Sequence, residues 1–143
     1  MSEYGRLIGV DVGSKRVGLA RTDLLKTGAN PIGTYSPTDS LEEIRQQIDR
    51  EGPINGIVVG WPLTPQGDAT HATPVVTEYI KKLKKKFPEI QVYKMDERYS
   101  SRQALQMMVE SGVPKKKRQK KGRLDQAAAA LILQEFLEAR PEI

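Results

Sequence analysis

Cysteine is absent from this chain, and histidine and tryptophan occur once each. Without cysteine there is no disulfide framework, no thiolate zinc site and no cysteine nucleophile, a profile that fits a cytoplasmic protein. Long apolar runs are missing too. None approaches the ~20 residues that cross a bilayer, and the N-terminus lacks the basic-then-apolar layout of a signal peptide, so no membrane partner is expected. What remains is 143 residues, 38% hydrophobic and 29% charged. That is one ordinary globular domain over residues 1–143, long enough for a real core.

Acidic residues are missing from one place in particular. The segment 115–123, KKKRQKKGR, carries seven basic residues and no acid. The whole chain has a net charge of +5, yet outside this segment 16 basic residues face 18 acidic ones. The positive excess is therefore local, as a contact with an anionic partner requires.

The hydrophobic pattern orders the rest. RLIGVDVGS (6–14) is an apolar strand ending in an acid and a glycine, and VGLART (17–22) follows after a tight turn. A third short strand is expected near Ile32–Tyr35. Asp39 or Ser40 can cap a helix that turns Leu41, Ile44 and Ile48 inward and stops at Gly52-Pro53. INGIVVG (54–60) is β-branched and reads as a buried strand. Residues 72–86 form a helix with Val75, Val76, Tyr79, Ile80 and Leu83 inward and KKLKKK outward. Ile90, Val92, Tyr93 and Met95 form another strand, followed by a helix over 101–111 that Gly112 and Pro114 stop. A last helix, rich in alanine and leucine, runs from about Leu124 to Ala139. Three strands in succession imply an antiparallel meander, and two strands separated by helices imply parallel additions. The fold class is α/β, a five-stranded mixed sheet flanked by helices.

Three places carry acids suited to chemistry. Asp11 ends the first strand, where Gly13 lets a metal or phosphate approach the backbone; a turn-forming aspartate fits the same pattern equally well. Asp96 and Glu97 sit at the end of the fifth strand, pointing to opposite faces. Periodicity leaves open which one faces the site, the other serving as a partner for Arg98 or a helix cap. Asp125 falls in the first turn of the last helix, where an acid stabilises the helix dipole by about 0.3–1 kcal/mol whatever else it does. Against that bland reading, Ala127–Ala130 give the helix a slim face that can lie close to the sheet. If three carboxylates converge, they need a cation among them. With no cysteine and one histidine, the oxygen-rich set suits Mg²⁺ or Mn²⁺, and two such ions hydrolyse phosphodiesters.

Four segments together resemble one family: DVGSKRVGLA (11–20), VGWPLTPQG (59–67), DERYSS (96–101) and KGRLDQAAA (121–129). They are similar to the YqgF family, also known as RuvX-like Holliday junction resolvases or pre-16S rRNA nucleases, in order and over about residues 6–138. The resemblance implies a ribonuclease H-like fold and a metal site of Asp11, Glu97 and Asp125, which assigns Glu97 rather than Asp96 to the site. It implies maturation of the 5′ end of pre-16S rRNA, with four-way DNA as the alternative substrate and ribosomal particles as further partners. The chain departs from the family's usual pattern at Ser14, Trp61 and the Tyr99-Ser100-Ser101 run, where hydroxyl groups persist.

Around these acids lie candidate phosphate contacts. Lys15 and Arg16 occupy the turn beside Asp11, although a solvated turn explains them as well. Arg98 can hold a phosphate or a neighbouring acid. Lys115, Lys116, Lys117, Arg118, Lys120, Lys121 and Arg123 form a basic loop that can clamp a nucleic-acid backbone. KKLKKK (81–86) reads as a solvated helix face, His71 as a surface residue, and Trp61 and Tyr99 as partly buried aromatics that can also stack a base. Two other classes compete. A phosphotransferase would use the Asp11–Ser14 run as a phosphate loop, but that design needs two such lobes. A non-catalytic RNA-binding module would have no use for three acids. Either a monomer or a homodimer is compatible with the sequence.

Overall fold

A computed structural model describes residues 4–62, 72–96 and 121–139, with the backbone alone for 121–124. Its sheet has five strands: β1 (Arg6–Val12), β2 (Val17–Thr22), β3 (Ala29–Tyr35), β4 (Ile54–Trp61) and β5 (Gln91–Asp96). They lie in the order β3-β2-β1-β4-β5. β1 pairs antiparallel with β2, and β2 with β3; β1 pairs parallel with β4, and β4 with β5. The meander and the two parallel additions are therefore as the sequence implies. β1 is central because its apolar run feeds both faces. Ile8, Val10 and Val12 face one side, and Leu7, Gly9 and Asp11 the other.

Helices cover both faces. α1 (Pro37–Arg50) and α2 (Thr73–Lys86) lie on the side of Ile8 and Val10. There Ile44, Val76, Ile80, Leu83 and Phe87 join Ile57 and Val59 in a core. α3 (Lys121–Ala139) covers the opposite face, where Ala129, Ile132, Leu133 and Phe136 meet Leu7, Ala20 and Val58. Burying each large aliphatic side chain contributes about 1.5–3 kcal/mol relative to exposure, so both layers are needed to hold the sheet.

Local chemistry moves several boundaries. The cap of α1 is Ser36, not Asp39 or Ser40: its Oγ accepts from the Asp39 N–H at 3.1 Å. Pro37, at the first helical position, lacks the N–H that would have gone unsatisfied there. Ser40 is instead buried, bonded to the Pro37 carbonyl and to the Tyr79 hydroxyl, both at 2.6 Å. β3 begins at Ala29, three residues before the expected start, and holds Pro31 at the sheet edge, where its missing N–H is tolerated. Val75 faces out, 36% exposed, because Val76, one residue and 100° further round, takes the inward position. The expected helix over 101–111 lies outside the described residues.

Candidate active site

The β1–β2 hairpin and the start of α3 build the site. In the hairpin, Asp11 stands directly across from Gly18. Between them the turn Gly13–Arg16 is closed by the Gly13 N–H donating to the Arg16 carbonyl at 2.8 Å. Side chains on directly opposed residues share a sheet face, and here it is the face that α3 covers.

α3 comes unusually close at this point. A Cβ on Gly18 would run into the backbone carbonyl of Asp125, and one on Gly9 would lie 2.7 Å from the Ala129 carbonyl. The helix backbone thus rests on two glycines of adjacent strands, one of them the partner of Asp11. That contact brings Asp125 to the same end of the same sheet face as Asp11. The alanine face of the helix, with Ala128 and Ala129 buried, is its other half.

Asp125 is not a first-turn residue. α3 starts at Lys121, three residues before the expected boundary, which puts Asp125 beyond the first turn. Its placement therefore has no explanation in the helix dipole, whose influence falls off within that turn. Asp125 is instead held from the hairpin: Arg16 Nε donates to its Oδ2 at 3.0 Å. The pair is partly solvated, with side chains 40% and 24% exposed. Its net contribution to stability is therefore small, about 0–1 kcal/mol, and its effect is to orient the carboxylate. Arg16 was expected to touch phosphate. In the structure it is first of all the partner of Asp125.

Next to it, Thr34 of β3, whose neighbour in the sheet is Gly18, donates to the Gln126 side-chain oxygen at 3.3 Å. A pocket of about 330 Å³ opens beside these groups, lined by Gly13, Ser14, Lys15, Arg16 and Asp125. Ser14 and Lys15 are exposed on the turn. Asp96 ends β5 opposite Trp61. The Lys94 ammonium lies 4.1 Å from the centre of the Trp61 ring, which covers one of the ring's faces.

Glu97, Arg98, His71, Tyr99, Lys115, Lys116, Lys117, Arg118 and Lys120 lie outside the described residues, and for Lys121 and Arg123 only the backbone in α3 is described. Among the described residues no three acids or histidines gather closely enough to hold a metal ion. The sequence reading missed Gly18, Gly9, Thr34 and Gln126. A glycine in mid-strand was the available signal for the first two, since it marks a close backbone approach.

Residues 5–139 match the family model RuvX, described as Holliday junction resolvase. The chain belongs to the RuvX family. A relative from Salinibacter ruber, named "Putative pre-16S rRNA nuclease", is 44% identical over 96% of this chain and 95% of its own length. One of the same name from Chlorobium phaeobacteroides is 42% identical, over 93% and 92%. The fold is also that of solved resolvases. Thermus thermophilus RuvC bound to a Holliday junction superposes with a TM-score of 0.57 at 13% identity, covering 97% of this chain and 98% of that one. The fowlpox virus resolvase with its junction DNA gives 0.53 at 15%, covering 94% and 97%. The family that the four sequence segments resemble is the one whose model matches.

Proposed function

We propose that this chain is a metal-dependent endonuclease that trims the 5′ end of pre-16S rRNA, with Asp11, Glu97 and Asp125 as its catalytic carboxylates. The observation that supports this reading is the seating of the Asp125 backbone on Gly18, the residue directly across the hairpin from Asp11. Support for Glu97 comes from the period of β5. Tyr93 and Met95 pack against the α3 core, and the next odd-numbered position is Glu97. The donors are all carboxylate oxygens, a set that fits Mg²⁺ or Mn²⁺ and not zinc. When bound, two such ions supply a water of lowered pKa and stabilise the leaving oxygen.

The chain's own residues do the rest. Arg16 fixes the direction of Asp125, so the carboxylate loses little freedom when it takes up its role. Lys15 is exposed on the turn and meets the phosphate backbone as it enters the pocket. Arg98 and the basic segment Lys115–Arg123 bind further phosphates, and these contacts position the strand without reading its sequence. The RuvX description favours a second substrate, the four-way DNA junction, which would require two copies of the chain to cut symmetrically.

Purified protein and its Asp11→Asn variant, each with Mn²⁺ or with EDTA, test the proposal on two substrates: a 5′-extended small-subunit rRNA precursor and a four-way DNA junction. Cleavage of the precursor alone, lost in the variant and in EDTA, is the expected result. Cleavage of the junction alone transfers the assignment to resolvase. Binding of both without cleavage of either overturns the nuclease reading.

A further inference from the structure

A second cleft among the described residues is larger than the acid pocket. About 420 Å³ in volume, it lies on the other side of the β1–β2 turn, between that turn and the N-terminal ends of α1 and α2. Its walls are Val12, Pro37, Pro74, Val75 and Tyr79, with Lys82 and Glu78 at the side. It is apolar, and it belongs to the opposite sheet face: Val12 and Tyr79 are part of the core under α1 and α2.

Two features tie this cleft to the acid site. The two pockets share Gly13 and Ser14, so they are separated only by the turn itself. Basic side chains also stand on both sides. Lys15 and Arg16 line the acid pocket, and Lys82 lines the cleft. Glu78 reaches towards Lys81, with 4.0 Å between their charged atoms, and Lys82 is the basic residue of the cleft's lining. A mostly apolar cleft with Lys82 at its side, one turn away from the proposed phosphodiester-cutting site, matches the chemistry of a nucleotide: a base for the cleft and a phosphate for the lysine.

We infer that the substrate strand crosses the β1–β2 turn at an unpaired nucleotide. The scissile phosphate lies on the α3 side beside Asp11 and Asp125. The base of an adjacent nucleotide enters the cleft between Val12, the two prolines and Val75, while Lys82 meets its phosphate. A base seated there cannot be paired at the same time, so the site selects substrates that are single-stranded, or easily unpaired, next to the cut. This rests on the nuclease reading but makes a claim of its own, since an endonuclease with the same acids could act on continuous duplex.

The test combines protein and substrate changes. Val75→Glu and Lys82→Glu alter exposed side chains, so both variants should fold, which circular dichroism and Tm check. Binding is measured by fluorescence anisotropy in EDTA, with precursor RNAs that each lack one base near the cleavage point, and with versions paired through that point by a complementary oligonucleotide. For the parent protein, one abasic position should weaken binding about tenfold, the effect of losing one seated base. Val75→Glu should weaken binding to intact RNA by a similar factor and be indifferent to that abasic position. Lys82→Glu should weaken binding to both RNAs, and pairing should slow cleavage. If every abasic RNA binds like the intact one, or if Val75→Glu responds to the missing base as the parent does, the cleft is not a base site. In that case persistent Mn²⁺-dependent cleavage leaves the nuclease reading standing. A parent that binds the RNA with the predicted base dependence but never cuts it loses the nuclease reading and keeps the cleft.

Discussion

Gly18 shows how much of the site depends on one missing side chain. It pairs with Asp11 across the hairpin and touches the Asp125 backbone on α3, so both carboxylates are referenced to the same Cα. A methyl group there has no room, and the neighbour it meets is backbone, which cannot rotate away. Gly18→Ala must therefore lift the start of α3 from the sheet. Overpacking of this kind costs about 1–3 kcal/mol, and it should lower both Tm and the cleavage rate. Gly28→Ala is the matched control, because nothing lies within 4 Å of a Cβ at that position. Thermal unfolding and cleavage assays of the two variants should separate sharply; equal behaviour would mean that the close approach of α3 is not what positions Asp125.

At the scale of elements, α3 unites core and site. Its alanine face allows the approach, its Ile132, Leu133 and Phe136 anchor it, and its early turns carry Asp125. Further along, Glu135 is partly buried on the same helix. Burial first, then the charges of Glu138 and Asp96, raise its carboxyl pKa above the ordinary 4.5. A carboxyl raised in the folded state favours folding while protonated and opposes it once ionised. The cost thus appears as pH rises through about 4.5 and the folded-state pKa. Glu135→Gln should raise Tm at pH 7 and leave it unchanged near pH 3, as thermal melts across that range will show. The opposite sense applies to Asp23. Burial acts upward on its pKa, but the Gly28 and Thr27 N–H groups and the Thr27 hydroxyl together outweigh it, so its pKa is lowered. Its stabilisation of the 23–28 turn is lost as pH falls through the acid range.

The elements themselves were largely legible. The antiparallel meander and the two parallel additions follow from the spacing of apolar runs, and the slim face of α3 follows from four consecutive alanines. The ends were less legible for identifiable reasons. A proline at the first helical position moved the cap of α1 back to Ser36, and α3 begins at Lys121, inside the basic run, where charge pattern conceals helix. The ion pair of Arg16 with Asp125 links positions 109 residues apart, and no local period can announce such a contact. Strand alternation separated Asp96 from Glu97 without saying which faced α3. The packing of Tyr93 and Met95 against the α3 core gives the parity of the described part of β5, and Glu97 itself lies outside the described residues.

For the molecule as a whole, the sheet divides labour between its faces. The α3 side places Asp125 at the end of the sheet where β1 carries Asp11, and the α1–α2 side opens an apolar cleft just beyond the same turn. Such a layout places the candidate site at the strand ends of the sheet, where ligands of open α/β sheets bind. The central claim is that Asp11 and Asp125, delivered by different elements, act as one unit. Single-turnover cleavage of the rRNA precursor by Asp11→Asn, Asp125→Asn and the double variant tests it most directly. Residues that act as a unit are strongly non-additive: each single change should reduce the rate by on the order of 10³-fold or more, and the double change should cost little beyond either one. Losses that multiply, or an Asp125→Asn variant that cuts like the parent, would contradict the account.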